Sequence, residues 1–165
     1  MTCCIYFDKN AFSSEGPSLM GRNVASESFL RGYIDFRRDR ASEYWIQTKT
    51  NMDRDDFQKL ISSNGAKNTI SLVGKTNLGD LKTPGNLFIP DPNVSRHARM
   101  RTVYGHDLWS VSGITHTTSS ARAMDAIASW LTSPIQPWDA VICTSSAVKI
   151  NVEVLLQAQV DLLKD

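Results

Sequence analysis

The sequence lacks any apolar run near the eighteen or so consecutive residues that a membrane-spanning helix needs. Its first residues also lack the basic segment followed by an apolar stretch that marks a secretion signal. A membrane-embedded or exported chain is therefore not expected, and the reading is a cytoplasmic one. Charge of one sign is scarce too: 18 Lys and Arg stand against 17 Asp and Glu, a net charge of +1. So even a balance argues against a large electrostatic footprint for nucleic acid or an anionic membrane. The three cysteines, Cys3, Cys4 and Cys143, are odd in number. Adjacent Cys3 and Cys4 would point to opposite faces of a strand, and no second Cys pair exists to complete a zinc site, so buried free thiols are expected. No Gly-x-Gly-x-x-Gly follows the first strand-like segment, and no Gly-x-Ser-x-Gly occurs anywhere. Dinucleotide-dependent redox chemistry and a serine-hydrolase elbow lose their main sequence signals. Neither an internal repeat nor a low-complexity tract is present.

What remains is an ordinary soluble composition, with 41% apolar and 21% charged residues over 165 positions, enough for one domain with a sizeable core. Residues 109–145 organise it. A strand-like segment ends in Thr115-His116-Thr117, a helix follows, and the apolar run Ala140-Val141-Ile142-Cys143 leads into Thr144-Ser145-Ser146. In the helix Ala123, Ile127, Trp130 and Leu131 share one face, while Arg122, Asp125 and Ser129 lie on the other. The hydroxyl run before it supplies cap oxygens, and Pro134 and Pro137 stop it. The run Ala140–Cys143 has no polar alternation and predicts a strand buried on both faces.

The same alternation continues in both directions. Residues 3–7, 44–48, 69–73 and 87–89 are strand candidates, the last closed by Pro90-Asp91-Pro92. A helix opens at Leu19-Met20-Gly21-Arg22, with Ala25, Phe29, Gly32, Tyr33 and Phe36 as its expected buried stripe. Small Ala25, Ser28 and Gly32 would let it lie close to a sheet. Residues 53–62 form a short helix with acidic residues in its first turn. Residues 95–104 read as a helix capped by Ser95 whose Arg96, Arg99 and Arg101, with His97, make a solvated basic face. The final helix, residues 146–165, has Val148, Val152, Leu155, Leu156, Leu162 and Leu163 as its stripe. Strands alternating with helices predict a Rossmann-like, doubly wound α/β domain with a parallel sheet of about six strands, spanning residues 1–165 as a single domain. In such sheets ligands sit beyond the carboxyl ends of the strands, which directs attention to Thr115-His116-Thr117 and Thr144-Ser145-Ser146. There a histidine directly before a helix could hold a phosphate or a sugar hydroxyl, or could simply help cap that helix.

Three stretches together resemble the N-terminal half of a GT-B glycosyltransferase of the group 1 (family 4) type. They are Leu19-Met20-Gly21-Arg22 with Phe29-Leu30-Arg31-Gly32, then Leu87-Phe88-Ile89-Pro90-Asp91-Pro92, then residues 113–145. The resemblance implies an acceptor-side half of a hexosyltransferase-type enzyme that moves a sugar from a nucleotide-diphosphate sugar, as co-substrate and without a cofactor, to an acceptor. By position it implies His116 as the candidate catalytic residue, Gly21, Arg22 and Thr117 on the donor side, and Asp91 and Ser145 on the acceptor side. Metal-independent transfer is implied as well, because helix N-termini and fixed cations can stabilise a leaving diphosphate.

The sequence departs from that family in one respect: the donor-binding domain, with its paired-glutamate motif, is not found in these residues. The expectation is half an enzyme, inactive by itself and completed by a donor-binding domain in cis or in trans. The competing expectation is a stand-alone Rossmann-like binding or regulatory module that catalyses nothing. A hydrolase built on Cys143 or Ser145 is weaker, since Cys143 sits in an apolar run where a thiolate would be poorly solvated.

Overall fold

The computed structural model describes residues 2–12, 21–37, 43–48, 50–63, 69–116 and 118–165. Its six strands form an all-parallel sheet flanked by helices, the Rossmann-like doubly wound α/β class that the sequence predicts. The chain divides into two compact units, Met1–Gly85 and Asn86–Asp165.

The first unit contains strands β1 (Cys4–Phe7), β2 (Glu43–Thr48) and β3 (Thr69–Val73), and helices α1 (Lys9–Phe12), α2 (Gly21–Arg37) and α3 (Asn51–Ser63). Strand β2 lies between β1 and β3 and pairs in parallel with both. Ile5, Leu30, Ile34, Tyr44, Ile46, Phe57 and Ile61 form its fully buried core. Phe57 meets Phe7 edge-on at 5.2 Å between ring centroids. Two tyrosine hydroxyls carried inward are satisfied: that of Tyr44 donates to the Ile34 carbonyl at 3.2 Å, and that of Tyr33 to the Cys3 carbonyl at 2.9 Å. Burial also pushes the Cys4 thiol well above its ordinary pKa, so it is an apolar filler rather than a nucleophile. Helix α3 starts on a capping box, in which Thr50 Oγ1 accepts from the Asp53 amide at 3.3 Å and Asp53 Oδ2 accepts from the Thr50 amide at 3.0 Å.

Helix α2 corrects one expectation. Its buried residues are Asn23, Ser26, Leu30 and Ile34, whereas Phe36 is 63% exposed and an added Cβ at Gly32 would meet nothing within 4 Å. The expected stripe is out of phase because aromatic character does not by itself decide which side of a helix is buried. Aliphatic Leu30 and Ile34 face the core, and polar Asn23 enters it by donating from Nδ2 to the Asn10 carbonyl at 2.9 Å.

The second unit contains β4 (Asn86–Ile89), α4 (Val94–Arg101), β5 (Ser110–Thr115), α5 (Ala121–Ala128) continuing into a 3-10 turn at Ser129–Thr132, β6 (Ala140–Cys143) and α6 (Ser146–Lys164). Strand β5 lies between β4 and β6, parallel to both. The cap of α5 comes from the expected hydroxyl run, with Ser120 Oγ accepting from the Ala123 amide, and α6 is capped by Ser145, whose Oγ accepts from the Val148 amide, each at 3.2 Å. In α5 the inward residue is Ile127. Half-buried Trp130 donates from Nε1 to the Pro92 carbonyl at 2.9 Å, binding the 3-10 turn to the end of β4.

Three further expectations change here. Strand β6 is not buried on both faces: among the described residues it pairs with β5 only, Ala140 is exposed, and Ile142 is 45% exposed. A four-residue apolar run carries too little pattern to separate an edge strand from an interior one. In α6, Val152 is buried and Val148, Leu155 and Leu156 are half-buried as expected, but Leu162 and Leu163 are exposed, as are Ile150 and Val154 on the outer side. Helix α4 begins at Val94, and Ser95 is a buried residue whose hydroxyl lies 2.8 Å from that of Ser129 rather than a cap. Nor is its basic face solvated throughout, because His97 and Arg101 are buried.

Arg101 is the centre of this unit. Its guanidinium meets both carboxylate oxygens of Asp139 at 2.7 Å and donates from Nη1 to the Trp109 carbonyl at 2.7 Å. Asp139 in turn accepts from the amides of Val111 at 2.7 Å and Gln136 at 2.8 Å. Helix α4, the start of β5 and the turn before β6 are thereby joined around one desolvated ion pair.

Asp139→Asn is expected to destabilise by about 3–5 kcal/mol, since it leaves a buried guanidinium uncompensated. A double Arg101→Met, Asp139→Leu variant should recover only part of this, because the Val111 and Gln136 amides stay unsatisfied. Urea denaturation of both variants measures the difference; an Asp139→Asn protein as stable as wild type would show the pair to be dispensable. At Gly113 an added Cβ would lie 2.7 Å from the Asp91 carbonyl oxygen and 2.8 Å from Val94 Cγ1. Gly113→Ala should therefore cost about 1–3 kcal/mol in the same assay.

Candidate functional site

Parallel pairing of β4, β5 and β6 puts their carboxyl ends on one side of the second unit. Three of the residues singled out in the sequence follow those ends: Asp91 after β4, His116 after β5 and Ser145 after β6.

Asp91 is exposed, and its Oδ1 accepts from the Asn93 amide at 2.7 Å, turning the chain toward α4. Its carbonyl accepts from the Ile114 amide at 3.4 Å, just beyond the Ile89–Gly113 pair. The glycine at position 113 is what permits this close approach of backbone to strand. Ser145 is exposed and serves the first turn of α6, so a ligand would share a hydroxyl that already caps a helix.

His116 is half-buried, and that burial lowers its pKa below the ordinary histidine value. At neutral pH the imidazole is uncharged, with one nitrogen able to donate and the other to accept. The preceding Thr115 is fully buried, and among the described residues its Oγ1 has no hydrogen-bond partner. The Thr115 carbonyl accepts from the Thr144 hydroxyl at 3.0 Å. Beyond His116, Thr118 Oγ1 accepts from Asn151 Nδ2 at 3.2 Å. Neither contact was foreseen in the sequence. Thr144 was noted only as a strand-end residue, and nothing marks Asn151 except its place near the start of α6.

Gly21 and Arg22 belong to the first unit, where they open α2; the side chain of Arg22, and Thr117 altogether, lie outside the described residues. The first unit also holds an Asp-x-Asp triplet, Asp53-Arg54-Asp55, so metal-independent transfer draws no support from a lack of that motif. It lies in the first turn of α3, where Asp53 is occupied by the capping box with Thr50. The adjacent Asp56 pairs with Lys9 at 3.2 Å. Among the described residues no three His, Cys, Asp or Glu side chains gather as a metal ion would require.

An open groove of about 310 Å³ runs beside β6, lined mainly by Trp130, Ile135, Val141, Cys143 and Val152. At its rim Lys149 and Glu153 form an exposed ion pair at 3.6 Å. Among the described residues no helix is long and apolar enough to cross a membrane.

No protein-family model, curated protein or solved structure matches the chain.

Beneath the strand ends, His97 on α4 is buried and pushed down to about 4, chiefly by desolvation and against the opposing pull of Asp91. Because the folded protein resists this proton while the unfolded chain takes it up near pH 6.5, the stabilisation is complete above 6.5. It is lost as pH falls toward 4, by about 2 kcal/mol at pH 5. His116 acts in the same sense. Thermal melts at pH 7 and pH 5 should show a smaller drop for His97→Gln than for wild type; equal drops would place the acid sensitivity elsewhere.

Proposed function

We propose that this chain is the acceptor-side half of a metal-independent GT-B glycosyltransferase of the group 1 (family 4) type, working in the cytoplasm with a donor-binding domain in cis or in trans. The reading rests on the residue stretches that resemble the family. One observation carries it in the structure: Asp91, His116 and Ser145 follow the carboxyl ends of three neighbouring parallel strands, the edge at which open α/β sheets hold ligands. In this reading a neutral His116 hydrogen-bonds the donor sugar where charge develops as the glycosidic bond breaks. Asp91 and Ser145 meet the acceptor, and Gly21, Arg22 and Thr117 are the donor-side residues that the resemblance implies. The sugar comes from a nucleotide-diphosphate sugar, and no cofactor is needed.

A second reading is a stand-alone binding module without catalysis. It is favoured by the local work that Asp91 and Ser145 already do, since a turn and a helix cap account for their carboxylate and hydroxyl without any ligand.

Titrating isotopically labelled protein with nucleotide-diphosphate sugars and with candidate acceptor saccharides separates the two. The glycosyltransferase reading expects the amides of residues 91, 116 and 145 to shift with saccharide, and His116→Ala to weaken that binding about tenfold, the worth of one hydrogen bond to a bound polar group. In the enzyme completed by its donor domain, His116→Ala should lower turnover by about a hundredfold with folding unchanged. Saccharide-independent binding of simple anions at these positions would favour the module, and wild-type turnover in the variant would remove His116 from the chemistry.

A further inference from the structure

We propose that Thr144 and Asn151 are positioning residues for His116, holding the segment that carries it from both of its flanks. On one side the Thr144 hydroxyl donates to the Thr115 carbonyl at 3.0 Å. On the other, Asn151 Nδ2 donates to Thr118 Oγ1 at 3.2 Å. In sequence His116 lies between these two bonds, and the donors come from the β6–α6 connection and from the second turn of α6.

Neither bond is needed to build an element. Strand β5 has completed its pairing with β6 at Thr115 and Cys143. Helix α5 begins only at Ala121 and has its own cap in Ser120. The two bonds flank the segment that carries His116. The Thr144 bond reaches the carbonyl of a fully buried residue, whose loss of a partner would not be made good by water. The Asn151 bond is exposed and fixes the far flank more loosely. A group that must meet a sugar in one orientation gains from such support, because the backbone freedom is removed before the ligand arrives. This inference rests on the reading of His116 as the sugar-facing group.

The test is the ring spectrum of His116 in labelled Thr144→Val, Thr144→Ser and Asn151→Ala proteins, alongside saccharide titrations and thermal melts of each. Thr144→Val and Asn151→Ala are expected to broaden or displace the His116 ring resonances and to raise the titration midpoint toward the ordinary histidine value, as the ring gains water. Thr144→Ser, which keeps the hydroxyl, should restore the wild-type spectrum. Saccharide affinity should fall severalfold in the two disrupted variants, while the melting temperature of Asn151→Ala stays close to wild type and that of Thr144→Val falls by several degrees. Unchanged ring resonances in both disrupted variants would overturn the positioning role. Altered resonances with no saccharide bound by any variant would uphold the positioning role and overturn the sugar reading. If Thr144→Val does not fold, Asn151→Ala at its exposed position carries the same comparison.

Discussion

The second unit depends on a single desolvated ion pair. The side chains of Arg101 and Asp139 have left water, and such a transfer is repaid only when the pair's geometry is good and further hydrogen bonds support it. Here the fork of the guanidinium matches the two carboxylate oxygens, and further bonds go to backbone groups at Trp109, Pro134, Val111 and Gln136, which leaves Arg101 Nε as the one donor of the pair without a partner among the described residues. A lysine could not replace this arginine, since a point charge with rotating donors cannot meet both oxygens and a carbonyl in one plane. The pair also sets a polarity in the fold. Trp109 and Asp139 each stand immediately before a strand, so the fixed charges lie at the amino ends of β5 and β6. At the opposite ends, the segments carrying Asp91, His116 and Ser145 are held by hydrogen bonds of backbone, hydroxyl and amide groups.

That division of labour explains what was legible in the sequence. Strand and helix order depends on local periodicity, and all six strands and the hydroxyl run that caps α5 could be read from it. Helix α4 could not be read in the same way. Three arginines and a histidine within one short helix look like a solvated face, because sequence cannot show that a carboxylate 38 residues away waits to receive Arg101. The buried side of α2 was misassigned for a related reason. Aromatic residues dominate a hydrophobicity count, but Phe36 stands outside while Asn23 is carried in by a hydrogen bond to Asn10.

Strand β6 shows the opposite limit. Its composition suits an interior position, yet it lies at an edge of its unit with Ile142 outward. Apolar character specifies that a residue can be buried, whereas the order of strands decides whether it is, and that order depends on long-range pairing. Helix α6 repeats the point. Its inner residues follow the expected stripe as far as Leu156, and the later Leu162 and Leu163 are exposed although they have the same chemistry.

The candidate site was legible to the extent that topology alone specifies it. Once strands are parallel, the residues after their carboxyl ends must share a side, and His116 could be chosen before any coordinate was known. What holds His116 was not legible, because Thr144 meets Thr115 across 29 residues and Asn151 meets Thr118 across 33. Strand-end position supplies proximity, but proximity alone leaves a loop side chain many orientations, most of them useless for one directed hydrogen bond. Two restraints on a short segment narrow that sampling without fixing the ring as tightly as a core side chain. Half-burial then keeps the imidazole uncharged at neutral pH, so the same nitrogen pair that a protonated ring would turn into two donors stays divided between donating and accepting.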